Sequence, residues 1–393
     1  MAQNRLVRNL LILCAPVFAL LSIITPWRKN AVVFVTTPQN GLTGNFYALL
    51  HYALTQTKHK VIVLDSAQCT DDVHWGPNPP TIIQPGGFAE ILLRLRHNKY
   101  VITHGHKMLR KHFALIQGVK IYNVWHGIPI KGMGNLDEKF DRSDRRQLRS
   151  ESARLSAFFV SSELERSFIA GCFLLPLKNI IITGMPRMDW MTCTVDALPH
   201  SLQQQSRQLD AELSEQKLVL YAPTFRDYDR NALGFDRDTL MQFARALSQH
   251  NAVLGIRPHP RDAKLYQQIM HGVDNVIDCS SIHYQEAAVL LRKADVLISD
   301  YSSIWIDYLV TGKAVVGYLW DAEQYSSARG SMVNLDAVFP GPIILDAENL
   351  IAACSDGTLF KPSQSRLSMS KKLFYRHTAS GNCARVWAHI ASH

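Results

Sequence analysis

Four short segments carry side chains suited to transfer chemistry at a phosphate ester. His126, Gly127, Ile128, Pro129 and Ile130 follow the β-branched run Lys120–Trp125. An imidazole with a near-neutral pKa is the usual general base, and the adjacent glycine lets a ligand approach the backbone closely. A histidine after a strand is more often structural, so His126 alone decides nothing. Pro223 and Thr224 follow the run Leu218–Tyr221, and Arg257, Pro258 and His259 follow Ala252–Ile256. Arg257 offers a planar fork for phosphate oxygens, with His259 as a second donor; a surface loop with a salt bridge is the plain alternative. The fourth segment runs from Asp300 to Asp307. Ser302 or Ser303 suits an N-cap and Gly312 a C-cap, which predicts a helix start able to hold a phosphate. Asp307 lies one turn beyond Ser303 on the same face, placed to bond a hydroxyl of the same ligand. An ordinary capped helix would look the same.

Further candidates are weaker. Arg187, in Gly184–Asp189, follows the run Asn179–Thr183 and is placed to reach a cleft. Asp227-Tyr228-Asp229 matches the D-x-D of metal-nucleotide sites, but three residues are not specific, and no metal is expected. His104 and His106 share a strand face without a third ligand nearby, which favours a structural role.

The elements that must position these residues alternate. Strand-like runs at Ala31–Thr36, Val61–Leu64, Tyr100–Thr103, Lys120–Trp125, Ala157–Ser161 and Asn179–Thr183 form one set. Leu218–Tyr221, Ala252–Ile256, Val296–Ser299 and Ala314–Tyr318 form another. Helical spacing lies between several of them, as at Phe46, Leu49, Leu50, Ala53 and Leu54. The alternation predicts parallel sheets with crossover helices, and such sheets bind ligands at the carboxyl ends of their strands. The strand-free stretch Thr194–Gln216 separates the sets. The expected domains are therefore 30–200 and 201–393, two halves facing across a cleft. Residues 135–154 are dense in both charges and read as a solvated helix or mobile loop, or as a basic lip for an anionic acceptor or lipid headgroups.

Composition bounds the answer. With 393 residues, 47% of them hydrophobic, the chain is long enough for about two packed domains. Its net charge of +9 suits an anionic partner. Seven cysteines without a C-x-x-C pair argue against a disulfide or zinc scaffold. Basic residues are not interleaved with an aromatic platform, so nucleic acid is not expected. Residues 1–29 form a basic and apolar segment, uncharged from Leu10 to Trp27. As a helix those residues would reach about 27 Å against a bilayer core of about 30 Å. The expectation is a membrane-associating segment, with a true span and a signal peptide as alternatives.

In this order the pieces resemble the CDP-glycerol glycerophosphotransferase family of teichoic-acid and capsule synthesis. The resemblance rests on Trp125–Lys131, Gly184–Asp189, Tyr221–Asp227, Arg257–Pro260, Ser299–Ser303 and Pro340-Gly341-Pro342. It implies a GT-B-like α/β fold, two Rossmann-like doubly wound domains facing across a cleft. It implies transfer of glycerol phosphate from CDP-glycerol, or of ribitol phosphate from CDP-ribitol, to a lipid-linked acceptor hydroxyl, with release of CMP and no cofactor. His126 becomes the general base. Gly127 to Ile130, Arg187, Pro223, Thr224, Arg257, Pro258, His259, Ser302, Ser303 and Asp307 become the donor site. Ile128 stands where the family usually has Thr, removing a hydroxyl beside the donor. A primase adding few units fits the single module better than a polymerase. The donor implies work at the cytoplasmic face of the cell membrane. A sugar-nucleotide glycosyltransferase and a non-catalytic binder of anionic polymer are the competing readings.

Overall fold

The computed structural model describes residues 30–392 apart from 38–40, 71–72, 86–87, 105–117, 138–139, 227, 230, 330–331 and 379. Two parallel sheets organise them. The first contains β1 (Ala31–Val35), β2 (Lys60–Leu64), β3 (Thr81–Ile83), β4 (Lys99–Ile102), β5 (Lys120–Asn123), β6 (Leu155–Val160) and β7 (Ile180–Ile182), in the order β3-β2-β1-β4-β5-β6-β7. The second contains β8 (Lys217–Ala222), β9 (Ala252–Ile256), β10 (Val276–Asp278), β11 (Val296–Ser299), β12 (Ala314–Tyr318) and β13 (Ile343–Ile344), in the order β10-β9-β8-β11-β12-β13.

Continuous apolar runs explain the central strands, because helices cover both faces of a parallel sheet. Val32, Val33 and Phe34 of β1 and Leu218, Val219 and Leu220 of β8 have no solvent exposure. In each sheet the chain reverses its direction of winding once, between β1 and β4 and between β8 and β11. Ligands of such sheets bind outside the carboxyl ends of the strands near that point. The sequence candidates leave from there: His104 after β4, His126 after β5, Thr224 after β8, Arg257 after β9, and Ser302 and Ser303 after β11.

The last helices cross back to the first sheet. The helix Gln364–Phe374 packs on Glu163–Phe173, and Asn382–Ser392 packs on Gly44–Gln56. Trp387 stacks on Phe34 of β1 with ring centroids 6.5 Å apart, and Val386 and Ile390 are fully buried. Ser161 Oγ donates to the Phe374 carbonyl at 2.7 Å, and Arg376 N–H donates to the Ser161 carbonyl at 2.9 Å. The stretch 201–393 thus ends on the sheet of the other half. The strand-free stretch between the sheets holds the helix His200–Leu213, which buries Leu202, Leu209 and Leu213. The charge-dense stretch forms the helix Arg142–Ser152, opened by a reciprocal capping box between Asp141 and Asp144.

One part of the expected architecture is corrected. Among the described residues no helix is long and apolar enough to cross a membrane. The expected segment 1–29 lies outside the described residues. The fold is two facing α/β units.

Candidate active site

His126 is presented by a turn that the sequence strains on purpose-built supports. β5 ends at Asn123, and Trp125 adopts a left-handed φ of +48°, a conformation an L-residue keeps only when its surroundings hold it. Asn123 Oδ1 accepts the Trp125 N–H at 2.8 Å. Asn45, at the start of Gly44–Gln56, donates through Nδ2 to the carbonyls of Val124 at 2.9 Å and Trp125 at 3.2 Å. The Trp125 ring packs against Phe158 and Phe173 with centroids 5.6 and 5.0 Å apart. The chain therefore turns sharply, and the His126 ring is exposed to the cleft while its neighbours are buried.

That ring is electrically tuned. Its Nδ1 lies 3.4 Å from the Thr103 carbonyl; a carbonyl only accepts, so the proton is assigned to Nδ1 and the lone pair to Nε2. Protein surrounds the ring on all sides but the cleft. This desolvation, the neighbouring His104 and the Arg187 guanidinium together lower its pKa to about 4, against the opposing pull of the Thr103 carbonyl. At neutral pH the imidazole is uncharged and able to accept a proton.

The facing wall belongs to the second sheet. Arg257 Nη1 donates to the carbonyls of Cys279 at 3.1 Å and Tyr284 at 2.8 Å, which fixes the guanidinium plane. His259 Nδ1 accepts the Arg261 N–H at 3.2 Å, so its proton sits on Nε2 as a donor. Burial, Arg261 and Lys131 lower the His259 pKa. Asp300, fully buried, accepts from Thr224 N–H at 2.9 Å, Thr224 Oγ1 at 2.6 Å, Arg226 Nη1 at 2.8 Å and Ser302 N–H at 3.2 Å. Ser302 Oγ accepts the Ile304 N–H at 3.3 Å, and Ser303 makes no side-chain cap. The helix they open, Ile304–Tyr308, is short; it tightens through Leu309–Thr311 and ends at Gly312 with φ +70°.

A cleft of about 660 Å³ joins the two walls. It is lined by His126 to Ile130 from the first half and by Pro223, Thr224, Arg257, Pro258, His259, Ser302 and Ser303 from the second. Gly127 brings the first half close to Ser303 of the second. A Cβ there would lie 3.3 Å from Ser303 Oγ and 3.5 Å from Arg187 Nη2.

Two expected donor residues sit elsewhere. Arg187 and Asp307 do not line the cleft; they form an ion pair between the halves, Nη2 to carboxylate at 2.7 Å, with side chains 12% and 10% exposed. Arg187 Nη1 also donates to the His126 carbonyl at 2.5 Å. Ile128 and Ile130 meet the cleft along the loop, but both are buried in the apolar core. Position 128 therefore points away from a polar ligand, and a hydroxyl there would need a partner inside the core. Asp227 and His106 lie outside the described residues, so the D-x-D and H-x-H patterns are not described.

Several supporting residues were not assigned from sequence. Arg226 pairs with both Asp300 and Asp321 in a core without solvent, and those carboxylates hold its pKa above the usual arginine value against the desolvation. The charged residues directly after β8 and β11 were a usable signal, since a charge at the end of a buried strand needs a partner. Asn45 had the weaker signal of a Gly-Asn pair opening a helix. Glu286 Oε2 accepts the Gly44 N–H at 2.7 Å across the halves, and nothing local announces it.

Comparison with known proteins bears on the family and the fold. Residues 17–392 match the model of the family CDP-glycerol:poly(glycerophosphate) glycerophosphotransferase. The teichoic acid ribitol-phosphate polymerase TarL of Staphylococcus aureus is 28% identical over 83% of this chain, and the chain spans 56% of that polymerase's length. The teichoic acid glycerol-phosphate primase of Bacillus subtilis is 23% identical over 78% of this chain and 80% of its own. The solved structure of the wall teichoic acid polymerase TagF superposes with a TM-score of 0.77 at 18% identity, covering 99% of this chain and 97% of that one. The fold is thus the GT-B-like arrangement of that polymerase. With a family model matched over nearly all its length, the chain belongs to the CDP-glycerol:poly(glycerophosphate) glycerophosphotransferase family.

Proposed function

We propose that this protein transfers glycerol phosphate from CDP-glycerol to a hydroxyl on a lipid-linked, teichoic-acid-like acceptor and releases CMP. The observation that carries the proposal is the shared cleft, in which His126 faces Arg257, His259, Ser302 and Ser303. In this reading Nε2 of His126 removes the acceptor hydroxyl proton. The oxygen attacks the phosphorus that bears the glycerol, a new P–O bond forms, and the P–O bond to CMP breaks. Arg257 and the Nε2–H of His259 neutralise the phosphate oxygens, which are the atoms whose charge must be stabilised in such a transfer. Asp300 keeps Thr224 and Ser302 in register with them. We place the reaction at the cytoplasmic face of a membrane, where a nucleotide donor and a lipid-linked acceptor meet.

CMP release from CDP-glycerol and CDP-ribitol, and UDP release from UDP-sugars, each with native membranes as acceptor, tests the proposal. CMP from CDP-glycerol supports it. CMP from CDP-ribitol alone changes the polyol, in line with the staphylococcal relative. Turnover of UDP-sugars alone, or of nothing, rejects it.

A further inference from the structure

His126 has a second imidazole beneath it. The rings of His104 and His126 lie nearly parallel, with centroids 4.3 Å apart and planes 13° apart. The turns that carry them are tied together by one buried side chain: Asn123 Nδ2 donates to the His104 carbonyl at 3.3 Å, and its Oδ1 accepts the Trp125 N–H at 2.8 Å. Thr103 joins them again. Its carbonyl faces His126 Nδ1 at 3.4 Å, and its Oγ1 lies 2.9 Å from His104 Nδ1. The 3.4 Å contact is too long to orient a ring by itself. His126 also touches Trp125, with centroids 4.2 Å apart. Exposed to the cleft and weakly hydrogen-bonded, the His126 ring has its plane set by these two neighbouring rings.

We propose that His104 is a positioning residue of the transfer reaction: its imidazole is the platform that holds the His126 ring so that Nε2 meets the acceptor hydroxyl. The inference rests on His126 acting as the base. A stacked aromatic ring would hold the plane as well, but a histidine adds a like charge when it protonates. Among the described residues, the titratable or charged groups facing His126 are His104 and Arg187, and both oppose its protonation. Burial lowers the pKa of His104 itself. His104 therefore keeps His126 neutral to lower pH than it would be alone.

His104→Phe keeps a ring and removes the charge; His104→Ala removes both. For H104A the expected result is a fall in kcat of about tenfold with donor KM unchanged, because orientation and not binding is lost. For H104F most of kcat returns, and the acid limb of the pH profile moves up by about 0.5–1 unit. Histidine NMR titration of the full chain reads the same coupling without turnover, with the His126 signal identified by its loss in His126→Gln. An unshifted His126 titration in H104F overturns the proposal. So does a loss of kcat in both variants that only tracks a lowered melting temperature. If wild type turns over no CDP-polyol, the proposed function fails, while the titration still reports whether the two rings are coupled.

Discussion

The Arg187 guanidinium and the Asp307 carboxylate, one from each half of the protein, meet at 2.7 Å, and the same guanidinium holds the carbonyl of His126 at 2.5 Å. His126 is thereby fastened to the opposite sheet. Removing one partner leaves a buried charge without compensation, so Asp307→Ala or Arg187→Ala should lower stability by about 3–5 kcal/mol. Denaturant melts check this. A loss below about 1 kcal/mol would mean that the pair behaves as a solvated surface contact.

His126→Ala should reduce CMP release by about 10²–10⁴-fold, the usual contribution of a positioned base, with little change in donor KM. In wild type the base is neutral above its pKa of about 4. The rate should therefore stay level from neutral pH downward and fall only as pH drops toward that value. The sign for stability is the same. Between the ordinary histidine value and about 4, the unfolded chain binds a proton that folded His126 refuses, so acidification destabilises the fold. His126→Gln should flatten that part of the stability profile. An acid limb near the ordinary histidine value would exclude His126 as the titrating group.

Arg257→Lys tests geometry at constant charge. Lysine keeps the cation but loses the fork held by the Cys279 and Tyr284 carbonyls. Donor KM should rise about tenfold to hundredfold. An unchanged KM would place the donor phosphates away from this side chain.

Asp300→Asn tests the floor of the cleft. Asp300 is fully buried and its carboxylate gathers Thr224, Arg226 and Ser302. Losing its charge removes one of the two carboxylates that compensate the buried Arg226 cation, so stability should drop by about 3–5 kcal/mol. Donor KM should rise as Thr224 and Ser302 lose their anchor. A stable variant with wild-type KM would show that Asp321 alone suffices for Arg226.

The strands show how far local pattern reaches. The runs Ala252–Ile256, Val296–Ser299 and Ala314–Tyr318 have the same limits in sequence and structure. They are fully buried interior strands, built almost wholly from apolar residues. Thr81–Ile83, Val276–Asp278 and Ile343–Ile344 were not foreseen. They are two- or three-residue edge strands, partly exposed, with no periodicity to read. β5 stops two residues short of its expected end because Trp125 turns left-handed, a conformation imposed by Asn45 and Asn123 and invisible in a β-branched run.

The sequence by itself determined the alternation of strands and helices, and so the parallel sheets and the rim from which His126, Thr224, Arg257 and Ser302 project. Burial and chain direction follow from residue type over a few neighbours, and those rules are local. Tertiary structure decided which rim residues face the ligand and which face each other. Arg187 and Asp307 neutralise one another because the two sheets bring opposite charges into a mostly buried space, 120 residues apart in the chain. Ile128 turns into the core for the complementary reason, since an apolar side chain gains more from packing than from lining a polar cleft. The pairing of His104 with His126 is of the same kind: two adjacent parallel strands set it, and no spacing in the sequence encodes it.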